Sequence, residues 1–112
     1  MDKNILLSII TVCYNSEKTI LKTINSVKKV KDSNIEYIII DGCSKDKTRQ
    51  IIKDNIDIVD NYISEKDSGI YYAMNKGISF AKGKYISFLN SDDYYLIDNF
   101  KNIIKKLKID NP

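Results

Sequence analysis

Two adjacent carboxylates, Asp92 and Asp93, close the stretch FLNSDD, where an apolar run gives way to polar residues. Like charges side by side repel, and the pair is eased by solvent or by a hard cation placed between them. Adjacent residues of a regular strand face opposite ways, so both can serve one site only if the chain turns there, and Asn90 and Ser91 permit a turn. The polar residues that follow the successive apolar runs are Asn15, Asp41, Asp67 and Asp93, 26 residues apart each time. No residue-by-residue repeat underlies that spacing, and its consequence is spatial: three carboxylates and an amide can line one edge. The chain has no histidine, which excludes imidazole bases, histidine triads and the common zinc sites. Acid–base chemistry must then use a carboxylate, Lys, Tyr, Cys or a metal-bound water. The competing reading of NSDD is an exposed turn that caps a helix from Leu96.

The elements that must position these residues follow from periodicity. ILLSIITVC (5–13) is apolar on both faces and rich in branched residues, as a doubly covered strand requires, and Ser16 then caps a helix with Ile20, Leu21, Ile24, Val27 and Val30 on one side. EYIIID (36–41) repeats the strand signal, and Ser44 and Asp46 mark the start of a short helix within 42–55. DIVDNYISE (57–65) is a half-polar strand suited to a sheet edge. Residues 66–83 give a turn and a helix carrying Ile70, Ala73, Met74, Gly77, Ile78 and Ala81, with Gly83 as its stop. KYISFLN (84–90) reads as a two-faced apolar strand, and 96–109 as a helix with Leu96, Phe100, Ile103, Ile104 and Leu107. Strands alternating with helices predict an α/β, Rossmann-like fold: a mostly parallel sheet with helices on both faces and ligands at the carboxyl ends of its strands.

At 112 residues, with 43% hydrophobic and 29% charged residues and one proline, the chain is expected to fold as one domain. A formal charge of +3, with Lys101, Lys105, Lys106 and Lys108 in one segment, reads first as a solvated helix face and second as a surface for anionic lipid. No long basic block marks a nucleic-acid binder. No apolar run approaches the roughly 20 residues of a membrane span, so a soluble, unexported, cytoplasmic chain is expected. Cys13 and Cys43 fit neither a metal pattern nor a disulfide framework and are expected to be free thiols.

Neither the phosphate-loop pattern nor the dinucleotide glycine fingerprint is present. Carboxylates cannot hold a diphosphate unaided, but they can through a hard divalent cation that accepts carboxylate and phosphate oxygens together. The doublet therefore points to Mg²⁺ or Mn²⁺ with a nucleotide diphosphate.

TVCYNSEKTI, DGCSKDKT and EKDSGIYYAMNKGISFAKGKYISFLNSDD occur in the order and spacing that resemble the nucleotide-binding half of family-2 glycosyltransferases. The resemblance covers residues 5 to about 98. It implies the A-type glycosyltransferase fold, with residues 1–112 as a single nucleotide-sugar-binding α/β domain lacking the acceptor-side half. It also implies metal-dependent, inverting transfer from a nucleotide-diphosphate sugar, commonly uridine-linked, to a cell-surface polysaccharide or glycolipid acceptor. By the same resemblance Thr11, Tyr14 and Asn15 lie beside the base, and Asp41 recognises it. Asp67 and Asn75 flank the donor pocket, Asp92 belongs to the ribose-diphosphate motif, and Asp93 is the direct metal ligand.

Plainer roles stand beside these. Thr11 suits the core, Asp41 a turn cap, Tyr71 and Tyr72 packing, and Asn75-Lys76-Gly77 a close helix–sheet contact. Tyr72 and Cys43 depart from the family, which often has Asp at the first position and Gly or Ser at the second. The base that deprotonates the acceptor is expected beyond Pro112, since Asp98 and Asp110 follow no strand and are not assigned that role. Two other functions stay open: a non-catalytic nucleotide-sugar-binding module, and a receiver-like α/β interaction domain, which would need acidic residues where CYN stands. Peripheral membrane association with a lipid-linked acceptor fits the resemblance. An exposed sheet edge would favour homo-oligomers.

Overall fold

The computed structural model describes residues 4–66 and 68–109, so Asp67 and Asp110 lie outside the described residues. Strand β1 (Leu7–Cys13) is buried along its whole length. Helix α1 (Ile20–Val30) follows, then the equally buried strand β2 (Ile35–Asp41). Helix α2 (Thr48–Asp54) and a 3-10 turn (Ile56–Ile58) lead to strand β3 (Asn61–Ser64). Helix α3 (Ile70–Phe80), strand β4 (Tyr85–Phe88) and helix α4 (Ile97–Ile109) complete the described chain.

The four strands form one parallel sheet in the order β3-β2-β1-β4. Its two centres are the continuous apolar strands, because only they have a neighbour on each side and cover on each face. On one face Leu7, Ile9 and Ile39 meet Ile20, Ile24 and Val27 of α1, Ile52 of α2 and Phe100 of α4. On the other, Ile10, Val12, Ile38 and Ile40 meet Ala73 of α3. Each such aliphatic side chain removed from water contributes roughly 1.5–3 kcal/mol.

Gly77 is where α3 rests on the sheet: a Cβ there would stand 2.6 Å from Ile10 Cγ2. The close helix–sheet contact is therefore what that residue provides. Gly83 does not stop α3, which ends at Phe80, but lets the following chain pass the backbone of Ser8, where a Cβ would lie 2.6 Å from the Ser8 nitrogen. There the buried Glu36 accepts from Ser8 Oγ at 2.6 Å and from the Lys82 N–H at 2.5 Å, while the Gly83 N–H donates to Ser8 Oγ at 2.8 Å. This clamp fixes where β4 enters the sheet.

Three further expectations need correction. β4 is not covered on both faces: Ile86 and Phe88 are 41% and 39% exposed, because α3 lies over β1 and β2 and leaves the edge strand bare. Tyr71 and Tyr72 are not packing residues, being 78% and 45% exposed on the outer side of α3. Ser16 starts α1 through its carbonyl, which accepts from the Thr19 and Ile20 N–H groups, and its hydroxyl is used elsewhere.

Candidate functional site

The connections from β1 run by way of α1 to β2 on one side, while β4 lies on the other side of β1. This reversal opens a crevice at the carboxyl ends of β1 and β4, the place where open α/β sheets bind ligands. A cleft of about 570 Å³ occupies it, bounded by Val12, Cys13 and Tyr14 at the end of β1, by Gly69, Ile70 and Ala73 at the start of α3, and by Asn90, Ser91 and Asp92 after β4.

Three loops form the rim, and hydroxyl groups tie them together. The Asn15 and Ser16 N–H groups donate to Ser44 Oγ at 2.8 Å and Thr48 Oγ1 at 2.7 Å, and the Lys45 N–H donates to Asn15 Oδ1 at 2.9 Å. Ser16 Oγ meets Ser91 Oγ at 2.9 Å, joining the first loop to the third. Asn15 and Cys43 have φ of 49° and 66°, a left-handed conformation that Asn tolerates and Cys adopts at a cost.

The turn that the doublet requires is present: the Asp93 N–H donates to the Asn90 carbonyl at 2.9 Å. Thr23 of α1 anchors it from behind, its hydroxyl directed at the carbonyls of Ser91 at 3.0 Å and Asp93 at 2.5 Å. Asp92 lines the cleft and Asp93 is exposed next to it. Neither carboxylate takes a hydrogen bond or ion pair from the described residues, and among those residues no third acidic or sulfur ligand joins them. Two such carboxylates fit a hard divalent cation, which typically uses one or two protein carboxylates and fills its remaining positions with phosphate oxygens and water.

α3 begins at the cleft. Gly69, with φ 118°, allows the abrupt entry into the helix. The positive end of the helix dipole therefore faces the cavity opposite the doublet turn and favours anions.

Of the residues singled out in the sequence, Tyr14 and Asp92 line the cleft, and Asn15 and Asp93 stand at its rim. Thr11 and Asp41 lie inside, with no exposed surface. The Thr11 hydroxyl shares a 2.8 Å hydrogen bond with that of Tyr37. Asp41 accepts from Ser64 Oγ at 2.7 Å, from the Ser44 N–H at 3.0 Å, from the Ser44 hydroxyl and from Cys13 Sγ at 3.5 Å. Asn75 is exposed on α3 and does not line the cleft. Desolvation opposes ionisation of Asp46, yet hydrogen bonds from Thr48 and the Glu17 N–H outweigh it and hold this carboxyl below the usual range, which fixes the start of α2.

Sequence reasoning gave Ser16 and Ser44 only as helix starts and Ser91 only as a turn residue, and it missed Thr23. The signal for Thr23 was available, since a hydroxyl on the core-facing stripe of α1 needs a partner.

The family description for glycosyl transferase family 2 matches residues 8–112. The UDP-Glc:alpha-D-GlcNAc-diphosphoundecaprenol beta-1,3-glucosyltransferase WfaP of Escherichia coli is 41% identical over 104 residues, 88% of this chain and 40% of that protein. S. aureus TarS 1–349, solved in complex with UDP-GlcNAc, matches with a TM-score of 0.84 and 27% identity over 93% of this chain and 31% of that one. The mannosyltransferase PcManGT from Pyrobaculum calidifontis, solved with GDP-Man and Mn²⁺, shares the fold with a TM-score of 0.78 at 19% identity over 91% of this chain and 32% of that one. The chain spans about two fifths of the length of the curated relatives it matches. From the family match and these likenesses, the chain belongs to glycosyl transferase family 2 and has its A-type fold.

Proposed function

We propose that the cleft holds the donor of a sugar transfer, a uridine-diphosphate sugar, with a divalent cation at the Asp92-Asp93 turn. The observation that carries this reading is the cleft at the sheet's reversal point, with the N-terminus of α3 on one wall and, on the other, the Asp92-Asp93 turn, whose carboxylates take no hydrogen bond from the described residues. Tyr14, 59% exposed on the first loop, offers a ring on which a base can stack. The α3 N-terminus suits the diphosphate. Asp92 accepts hydrogen bonds from sugar or ribose hydroxyls, and Asp93 ligates the cation together with phosphate oxygens. Mg²⁺ or Mn²⁺ bound there supplies charge neutralisation for a leaving diphosphate. Asp41, saturated by protein donors, serves by holding Ser44 under the first loop. The uridine donor named for WfaP and the UDP-GlcNAc bound by TarS support the choice of base.

Acceptor chemistry belongs elsewhere in the reading. An inverting transfer needs a base for the acceptor hydroxyl, and among the described residues lining the cleft the carboxylate is Asp92, already used for the donor. That observation favours a second reading for these 112 residues taken alone, in which they bind the nucleotide sugar without turnover. In the larger reading the acceptor is a cell-surface polysaccharide or glycolipid, and WfaP, whose name specifies an undecaprenol-linked acceptor, supports it. Melting curves with uridine, guanosine and adenosine diphosphates in the presence of Mn²⁺ test the donor assignment. A rise in Tm confined to the uridine nucleotide is expected, and an equal rise with all three would contradict uridine selectivity.

A further inference from the structure

Away from the cleft, the seam between α1 and α4 carries two adjoining grooves that share Lys29. The groove nearer the doublet turn is bordered by Lys18, Lys22 and Lys29 and has a volume of about 870 Å³, and the second is bordered by Lys29, Lys101, Lys105 and Lys108. All six lysines are exposed, and their acidic neighbours in the grooves are Asp32 and Asp98. Six positive charges against two exceed the +3 of the whole chain, so the remainder of the molecule is slightly negative and the basic charge is concentrated here. The ion pairs among the described residues, Lys31 with Asp60 and Lys76 with Glu65, take none of the six.

Between the lysines stand exposed apolar groups. Leu21, Tyr94 and Leu96 border the first groove, and Ile103 projects from α4. Lys22 lies 4.1 Å above the Tyr94 ring, which holds that end of the seam together. Phe100 and Ile104 pack into the core beneath, so the outward face of α4 is stable without a further partner.

We infer that the α1–α4 seam is a docking face for an anionic lipid bilayer. Lysines with aliphatic side chains between them are the composition of an interfacial surface: the lysine stems lie along the apolar boundary while their ammonium groups reach the headgroups. A nucleic-acid face would instead want arginine forks and stacking rings, and the chain's sole arginine, Arg49, lies on α2. A second copy would bring like charges together. The upper end of the seam adjoins the candidate site, since Tyr94 directly follows Asp93 and Thr23 of α1 holds the Asp93 carbonyl. Docking there sets the mouth of the cleft beside the headgroup layer, where a lipid-linked acceptor is found. The inference deepens the glycolipid part of the proposed function and rests on it for its purpose, while the binding itself is measured separately.

Each lysine brought to an anionic surface tightens binding by roughly fivefold, and salt weakens the effect. Flotation with phosphatidylcholine vesicles, with and without phosphatidylglycerol, tests the face. The expected result is binding that requires phosphatidylglycerol and falls at least about tenfold in the triple variant Lys29→Glu, Lys101→Glu, Lys105→Glu. A charge-matched control, Lys45→Glu, Lys47→Glu, Lys53→Glu on the α2 side, is expected to retain most of the binding. Circular dichroism establishes that both variants fold, and the triple Lys→Gln variant at the seam serves if charge reversal unfolds the protein. Absence of binding to phosphatidylglycerol vesicles, equal losses in both variants, or equally strong binding to a DNA duplex at the same salt would overturn the proposal. Titration of uridine diphosphate into the seam variant keeps the two ideas apart, because the donor cleft is predicted to be unaffected.

Discussion

Burial pushes the Cys13 thiol well above its usual range, and the charge of the neighbouring Asp41 pushes it further. A thiol held protonated is a poor nucleophile, so Cys13 fills space between β1 and the loops and donates to Asp41 rather than reacting. Cys43 is only half buried. Iodoacetamide is therefore predicted to modify Cys43 in the native protein and to reach Cys13 only on unfolding, as peptide mass spectrometry would show; native-state modification of Cys13 at a comparable rate would contradict this. The same residues show where reading by type and position reaches its limit. Asp41 and Asp92 both follow apolar runs, and nothing local distinguishes them. Asp41 is enclosed because hydroxyls from Ser44 and Ser64 converge on it, and Ser64 comes from another strand. Asp92 stays open because its turn faces the crevice. Such partners come from long-range pairing, which periodicity does not encode.

The elements were legible because each carries one clear period. β1 and β2 are dominated by branched apolar residues, and α1 and α4 have their stripes at helical spacing. The half-polar β3 reads as an edge strand and is one. β4 misleads because its apolar residues suit a buried strand, while its burial depends on a neighbour that no described element supplies. The bond most consequential for the site was equally hidden: Thr23, in the first turn of α1, holds the doublet turn by two carbonyls. Thr23→Val keeps the shape and removes the donor. We predict a loss of about 1 kcal/mol in denaturant unfolding and weaker binding of uridine diphosphate with Mn²⁺, both largely restored in Thr23→Ser. Unchanged affinity in Thr23→Val would show that the turn is held without this contact.

For the whole molecule, the topology brings three loops, from β1, β2 and β4, together at the place where the strand order reverses. The β4 edge, with Ile86 and Phe88 exposed, is the other consequence of that topology. An open strand edge with apolar side chains pairs readily, so the 112-residue chain is predicted to self-associate. Light scattering would show its mass rising with concentration, and Phe88→Lys is expected to suppress the rise; a monomer mass throughout would contradict the prediction. The central claim, a metal-assisted donor site at the Asp92-Asp93 turn, is tested most directly by calorimetric titration of uridine diphosphate into the native chain and Asp93→Asn, with Mn²⁺ and with chelator. The account predicts binding that needs Mn²⁺ and is lost in the folded Asp93→Asn variant. Binding indifferent to chelator and to Asp93→Asn, or none at all in a folded native chain, would contradict it.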